Sequence, residues 1–223
     1  MKYFIDYGHG GNDSGAVGGN ILEKNINKLI GERVVYHLKR HNQSVLVTRE
    51  CDDTVSLDER VRRINEASCD LGVSIHCNSF TDSSVRGVET YTWGTGTREI
   101  ELAKKVHNAI LSAKLYHKNR GIKQAHFKIL SPQIPCCLVE TAFISNELDR
   151  ILLLDNIENF AVAITKGLLG FYGISYKSES SQVASNNGKY YRVQVGAYKN
   201  EKYAIDLAES LKQNGYPAII KFY

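Results

Sequence analysis

The chain has 223 residues, 43% of them hydrophobic and 23% charged, enough for one full domain with a sizeable core and a small appendage. Its 28 Lys and Arg against 24 Asp and Glu leave a formal charge of +4, which suits an anionic polymer and is too small to indicate nucleic acid. No apolar run is long enough to insert in a membrane. Five cysteines (Cys51, Cys69, Cys77, Cys136 and Cys137), an odd number with no CxxC pair, point away from a disulfide framework or a zinc finger.

The chain opens on a short apolar run that ends in glycines, Lys2-Tyr3-Phe4-Ile5-Asp6-Tyr7-Gly8-His9-Gly10-Gly11. Six of the eighteen glycines fall between Gly8 and Gly19, so the stretch is shaped for backbone conformation and close approach. A strand stopping here presents His9 at its carboxyl end. A phosphate cradle is excluded. No Gly-Lys-Ser/Thr follows, and Asp13 stands where a dinucleotide turn needs its third glycine.

Residues 21–41 read as a helix with Ile26, Leu29, Ile30, Val34 and Leu38 on one stripe and Glu23 in its first turn. A strand over 44–48 follows, then Ser56-Leu57-Asp58-Glu59, a capping box opening a helix to about residue 67. Its Arg60, Arg62 and Arg63 read as a solvated face. Strands are predicted over 71–77, 87–93, 127–130 and 137–143, with helices over 98–114 and 156–172 and a helical turn from Asn146. The alternation predicts an α/β fold, a mostly parallel sheet with helices on both faces. In such sheets sites gather outside the carboxyl ends of the strands, where His9, His76 and Glu140 are all placed.

Four separated stretches, in order, carry a specific resemblance: Asp6 to Gly11, Glu23, Ser74-Ile75-His76-Cys77-Asn78, and Val139-Glu140-Thr141-Ala142-Phe143-Ile144-Ser145-Asn146. Together with Asn119-Arg120-Gly121-Ile122-Lys123 they resemble the amidase-3 family of zinc-dependent N-acetylmuramoyl-L-alanine amidases over residues 1–173. The resemblance implies that His9, Glu23 and His76 bind one zinc ion, that Glu140 is the catalytic carboxylate, and that the reaction is hydrolysis of the amide between N-acetylmuramic acid and L-alanine in peptidoglycan. The residue chemistry agrees. Two imidazoles and a carboxylate leave zinc an open position for water, and an unligated glutamate can move the proton. Cys77 is excluded as a ligand if His76 faces the metal, because strand neighbours point to opposite faces. A zinc peptidase cutting within the stem peptide and a non-catalytic wall-binding module are the alternatives.

Residues 174–188, with five serines and two asparagines, read as a flexible linker. Beyond it, residues 189–223 show an alternating strand, a helix capped by Asn200 with Ala204, Leu207, Ala208 and Leu211 on one face, and a closing strand. This resembles half of a sporulation-related (SPOR) peptidoglycan-binding repeat. Strand alternation puts Arg192, Gln194 and Tyr198 on the open sheet face as candidate glycan contacts. A lone β-α-β half buries little apolar surface, so the expectation is a homodimer that pairs two halves. No basic end and apolar stretch precede the first strand. The expected setting is therefore synthesis in the cytoplasm without a signal peptide, then action on the wall by a phage endolysin after release, or by an autolysin inside a lysing or sporulating cell.

Overall fold

The computed structural model describes residues 1–115, 118–178 and 201–213. It divides into two compact units, Met1–Ser178 and Glu179–Tyr223.

The first unit is built on a six-stranded sheet in the order β4-β1-β5-β8-β6-β7. Its strands are β1 (Lys2–Tyr7), β4 (Ser44–Val47), β5 (Leu71–Asn78), β6 (Val88–Thr92), β7 (Asn119–Gln124) and β8 (Cys136–Phe143). All neighbours are parallel except β6 and β8, which run antiparallel with Glu89 opposite Glu140. This reversal matters for the site. It brings the start of β6, and of its parallel neighbour β7, to the same sheet edge as the carboxyl ends of β1, β5 and β8. A two-stranded ribbon of β2 (Val17–Gly18) and β3 (Ile21–Leu22) leads into the first helix.

Alternation along β1 sorts the core. Tyr3, Ile5 and Tyr7 join the larger apolar cluster, with Ile26, Ile30, Val34 and Leu38 of α1 (Glu23–Arg40). Leu102, Val106 and Ile110 of α3 (Thr97–Ser112) and Phe160, Ile164 and Leu168 of α5 (Ile157–Phe171) complete it. Phe4 turns to the opposite face and packs with Ile64 of α2 (Leu57–Glu66), Leu138, and Ile129 and Leu130 of a short 3-10 helix, Lys128–Leu130. Helices thus cover both faces. Among the described residues no helix is long and apolar enough to cross a membrane.

The local signals act as their chemistry dictates. Ser56 caps α2, its hydroxyl accepting from the Glu59 N–H at 3.2 Å, and Asn146 caps α4 (Glu147–Asp155) by accepting from the Asp149 N–H. Three readings need correction. Leu29 is 48% exposed, because a stripe repeating strictly every fourth residue from Ile26 already fills the buried face of α1. Of residues 127–130, Lys128–Leu130 form the 3-10 helix rather than a strand, and Phe127, before it, is exposed. The strand is instead Asn119–Gln124, a polar edge segment without apolar alternation. Arg60 lies in the interior, while Arg62 and Arg63 keep to the surface and pair with Glu59, Arg62 also with Glu66.

The first residues of the expected linker are packed. Ile174 and Tyr176 lie against the larger core cluster, and the Tyr176 ring stacks on His41 at 4.9 Å. Lys177 N–H donates to His41 Nε2 at 2.8 Å. In the second unit the described element is α6 (Glu201–Gln213), with Ala208 buried and Ala204 and Leu207 half-buried as the pattern requires. The strands expected on either side of it, the candidate contacts Arg192, Gln194 and Tyr198, and the edge invoked for pairing two copies lie outside the described residues.

Candidate metal centre and active site

Three elements converge at one sheet edge: the exit of β1, the first turn of α1 and the end of β5. His9 follows β1 with φ of 65°, a left-handed conformation uncommon for a residue with a side chain. It lets the chain reverse direction while aiming the imidazole inward. Gly8 makes room for the second histidine, since a Cβ there would sit 2.3 Å from the His76 ring. Gly15, at φ of 64°, passes so close that a Cβ would meet Glu23 Oε2 and the His9 ring at 2.6 Å. The glycine-rich loop is therefore a mould around these side chains.

His9 Nε2 lies 3.2 Å and His76 Nδ1 2.9 Å from Glu23 Oε1, and the two rings meet edge-on at 4.9 Å between centroids. Donor atoms of all three residues fall within 4.8 Å of one another, a set that can hold a metal ion. Cys77 does not join them. Its side chain turns into the core toward Asn27 and Thr141, as strand alternation requires, and burial pushes its thiol well above the ordinary value.

Further partners fix the three side chains. Glu23 accepts from the N–H groups of Ala16 and Cys77 and from the Asn27 amide. Burial opposes its charge, yet the hydrogen bonds and charges of His76 and His9 hold the carboxylate far below its usual range. Burial likewise opposes a charged His9. Glu23 and Asp13, the latter 2.8 Å from Nδ1, reverse this and raise the imidazole to about 9. With both imidazoles raised by Glu23, the site favours positive charge. Two buried arginines hold the loop from behind. Arg60 donates to the carbonyls of Tyr7 and His9 and pairs with Asp6 at 2.7 Å; Arg49 donates to the carbonyls of Tyr7 and Lys24. Burial raises the Asp6 carboxyl, but Arg60, then His76, Ser74 and Thr48 outweigh it and hold the group below its ordinary range.

Glu140 stands beside His76 across the β5–β8 pairing. Among the described residues its Oε2 is buried without a hydrogen-bond partner. Burial is the largest influence on this carboxyl; with the charges of Glu23 and Glu89, and against those of His76 and His9, it lifts the carboxyl to about 7. Glu89, opposite Glu140 on β6, is treated in the reverse way. It accepts from Asn78, Tyr91, Arg120 and Lys123 and, despite its burial, stays ionised below the usual range.

The four residues predicted for the centre are thus brought together. Sequence reasoning missed Arg49, Arg60, Asp13 and Glu89. The advance signal for Glu89 was a lone charge in a strand otherwise made of uncharged residues.

Residues 4–169 match the family model for N-acetylmuramoyl-L-alanine amidase. The chain belongs to that family. Residues 171–223 match the SPOR domain, a match that begins at the end of α5 and runs across the stretch expected as a linker. The N-acetylmuramoyl-L-alanine amidase LytC of Bacillus subtilis is 38% identical over 174 residues, 76% of this chain and 35% of LytC. The chain therefore spans about a third of that relative's length. The amidase CwlM of Bacillus licheniformis is 30% identical over 226 residues, covering 99% of this chain and 84% of CwlM. Among solved structures, the amidase AmiC2 of Nostoc punctiforme superimposes with a TM-score of 0.73 at 36% identity, over 77% of this chain and 97% of that one.

Proposed function

We propose that this amidase-family chain hydrolyses the amide between N-acetylmuramic acid and L-alanine in peptidoglycan, using one zinc ion held by His9, Glu23 and His76 with Glu140 as the proton carrier. The observation that carries this reading is the pairing of a three-donor cluster with an adjacent carboxyl whose Oε2 is buried, unpartnered and raised to about 7. The donor set suits zinc: two imidazoles and a carboxylate, with Asp13 behind His9 to fix its tautomer. Zinc there supplies an acidified water and polarises the scissile carbonyl.

The residues do the rest. Glu140, poised near neutrality, takes a proton from the attacking water and returns it to the leaving nitrogen. Glu23 stays ionised throughout, and Arg60 and Arg49 keep the His9 loop from relaxing. We read the SPOR-matching segment as a wall-binding part that concentrates the enzyme on its substrate, whether the setting is phage lysis or autolysis.

Loss of turbidity of purified walls, with and without chelator, tests the reading when combined with mass spectrometry of the soluble peptides. Peptides with free L-alanine amino ends, formed only with metal present, are the expected product. Cleavage within the stem peptide would replace this reading with a peptidase, and binding without cleavage would leave a wall-binding module.

A further inference from the structure

A second feature lies at the sheet edge that carries the metal centre. The loop before β6 and the start of β7 enclose a groove of about 490 Å³ lined by Ser84, Val85, Arg86, Lys118 and Arg120. Three of these five side chains are cations. Each guanidinium is anchored through Nε to a buried carboxylate, Arg86 to Asp149 at 3.1 Å and Arg120 to Glu89 at 2.7 Å. Arg120 is further seated over the Phe143 ring at 4.9 Å. Among the described residues, neither arginine donates a hydrogen bond from its terminal nitrogens, and the Lys118 ammonium makes no ion pair. The anchors fix the two forks and leave their outer edges to a ligand. Such edges match a carboxylate in paired geometry.

We infer that this groove binds a free carboxylate of the peptide whose amide is cut. The inference rests on the amidase reading for the identity of that peptide. The placement fits. Arg120 sits two strands from Glu140, about 10 Å at ordinary strand spacing, and an extended peptide advances about 3.3 Å per residue. A carboxylate two to three residues beyond the scissile amide therefore reaches the groove while the amide lies at Glu140. Glu89 links the two places, since it accepts from Arg120 and stands opposite Glu140. The groove selects stem peptides with free carboxylates over those with carboxamides.

The test uses the full chain carrying Glu140→Gln, loaded with zinc, so that binding is read without turnover. The probes are a muramoyl tripeptide with free carboxylates on its second and third residues and its carboxamide counterpart. The carboxylate form is expected to bind about tenfold more tightly, since charge-assisted pairing is lost in the other. Adding Lys118→Gln or Arg86→Gln should shrink that preference, and Lys118→Arg should retain it. Lys118 is exposed, so its replacement leaves the fold intact even if Arg86→Gln does not. Equal binding of the two peptides, no binding of either, or a preference that survives Lys118→Gln overturns the inference. Release of L-alanine ends from walls by the wild-type chain is measured alongside. An active amidase without carboxylate preference would condemn the groove alone, and an inactive one would condemn the reading beneath it.

Discussion

The start of α1 and the end of β8 each deliver a glutamate to one site and treat it in opposite ways. Glu23 is surrounded by donors, two backbone N–H groups, an amide and two imidazoles, and is held ionised. Glu140, beside His76 across the β5–β8 pairing, has an oxygen with no donor among the described residues and is lifted to about 7. The difference is one of environment and not of residue type. The proposed roles fit this contrast: the carboxylate assigned to hold a cation is given hydrogen bonds to its charged form, and the one assigned to exchange a proton is denied them.

That contrast can be broken first on its holding side. His76→Ala removes a donor and one of Glu23's partners, so metal content and wall hydrolysis should both fall to background. Metal analysis and the turbidity assay check this together, and full zinc occupancy would contradict it. Arg60→Met attacks the support behind the loop. It strands the buried Asp6 charge, so unfolding in denaturant should show a loss of about 3–5 kcal/mol. A variant as stable as wild type would mean that Asp6 is not held ionised by Arg60. Asp13→Asn is milder, because Asp13 is exposed and acts through His9. Zinc affinity should weaken about 10–100-fold by competition with a chromogenic chelator.

The smallest effect concerns pH. In metal-free protein Glu140 is raised from 4.5 to about 7 and His9 from 6.5 to about 9. For both, the folded state binds more protons than the unfolded state between the paired values, so stability falls as pH rises. The Glu140 contribution is present below 4.5 and lost through 7; the His9 contribution is present below 6.5 and lost through 9. Denaturant midpoints with chelator present should therefore decline from pH 5 to pH 9. Glu140→Gln should flatten the portion below pH 7.

Much of this site was legible because strand ends and glycines are local signals. The glycine loop marked His9, and the alternation of strands and helices placed His76 and Glu140 at one edge. The first turn of α1 marked Glu23, though as readily for a capping role as for a ligand. What stayed hidden depends on contacts made across the fold. Arg60 lies four residues before Ile64 on the apolar stripe of its helix, but its charge made it read as solvated beside Arg62 and Arg63; the fold turns it to Asp6 and the His9 loop. Arg49 follows a strand where an arginine reads as surface. The strand at 119–124 was missed because a polar sheet edge lacks apolar alternation, and the antiparallel run of β6, which builds the cationic groove, follows from no local pattern.

The division between holding and proton transfer is tested most directly by one paired measurement, zinc stoichiometry and wall-amide turnover in Glu23→Gln and Glu140→Gln of the full chain. Glu140→Gln is expected to retain one zinc per chain while turnover drops about 10²–10⁴-fold. Glu23→Gln is expected to lose the zinc and the turnover together. Loss of zinc from Glu140→Gln, or turnover within tenfold of wild type in that variant, would contradict the assignment of the two carboxylates.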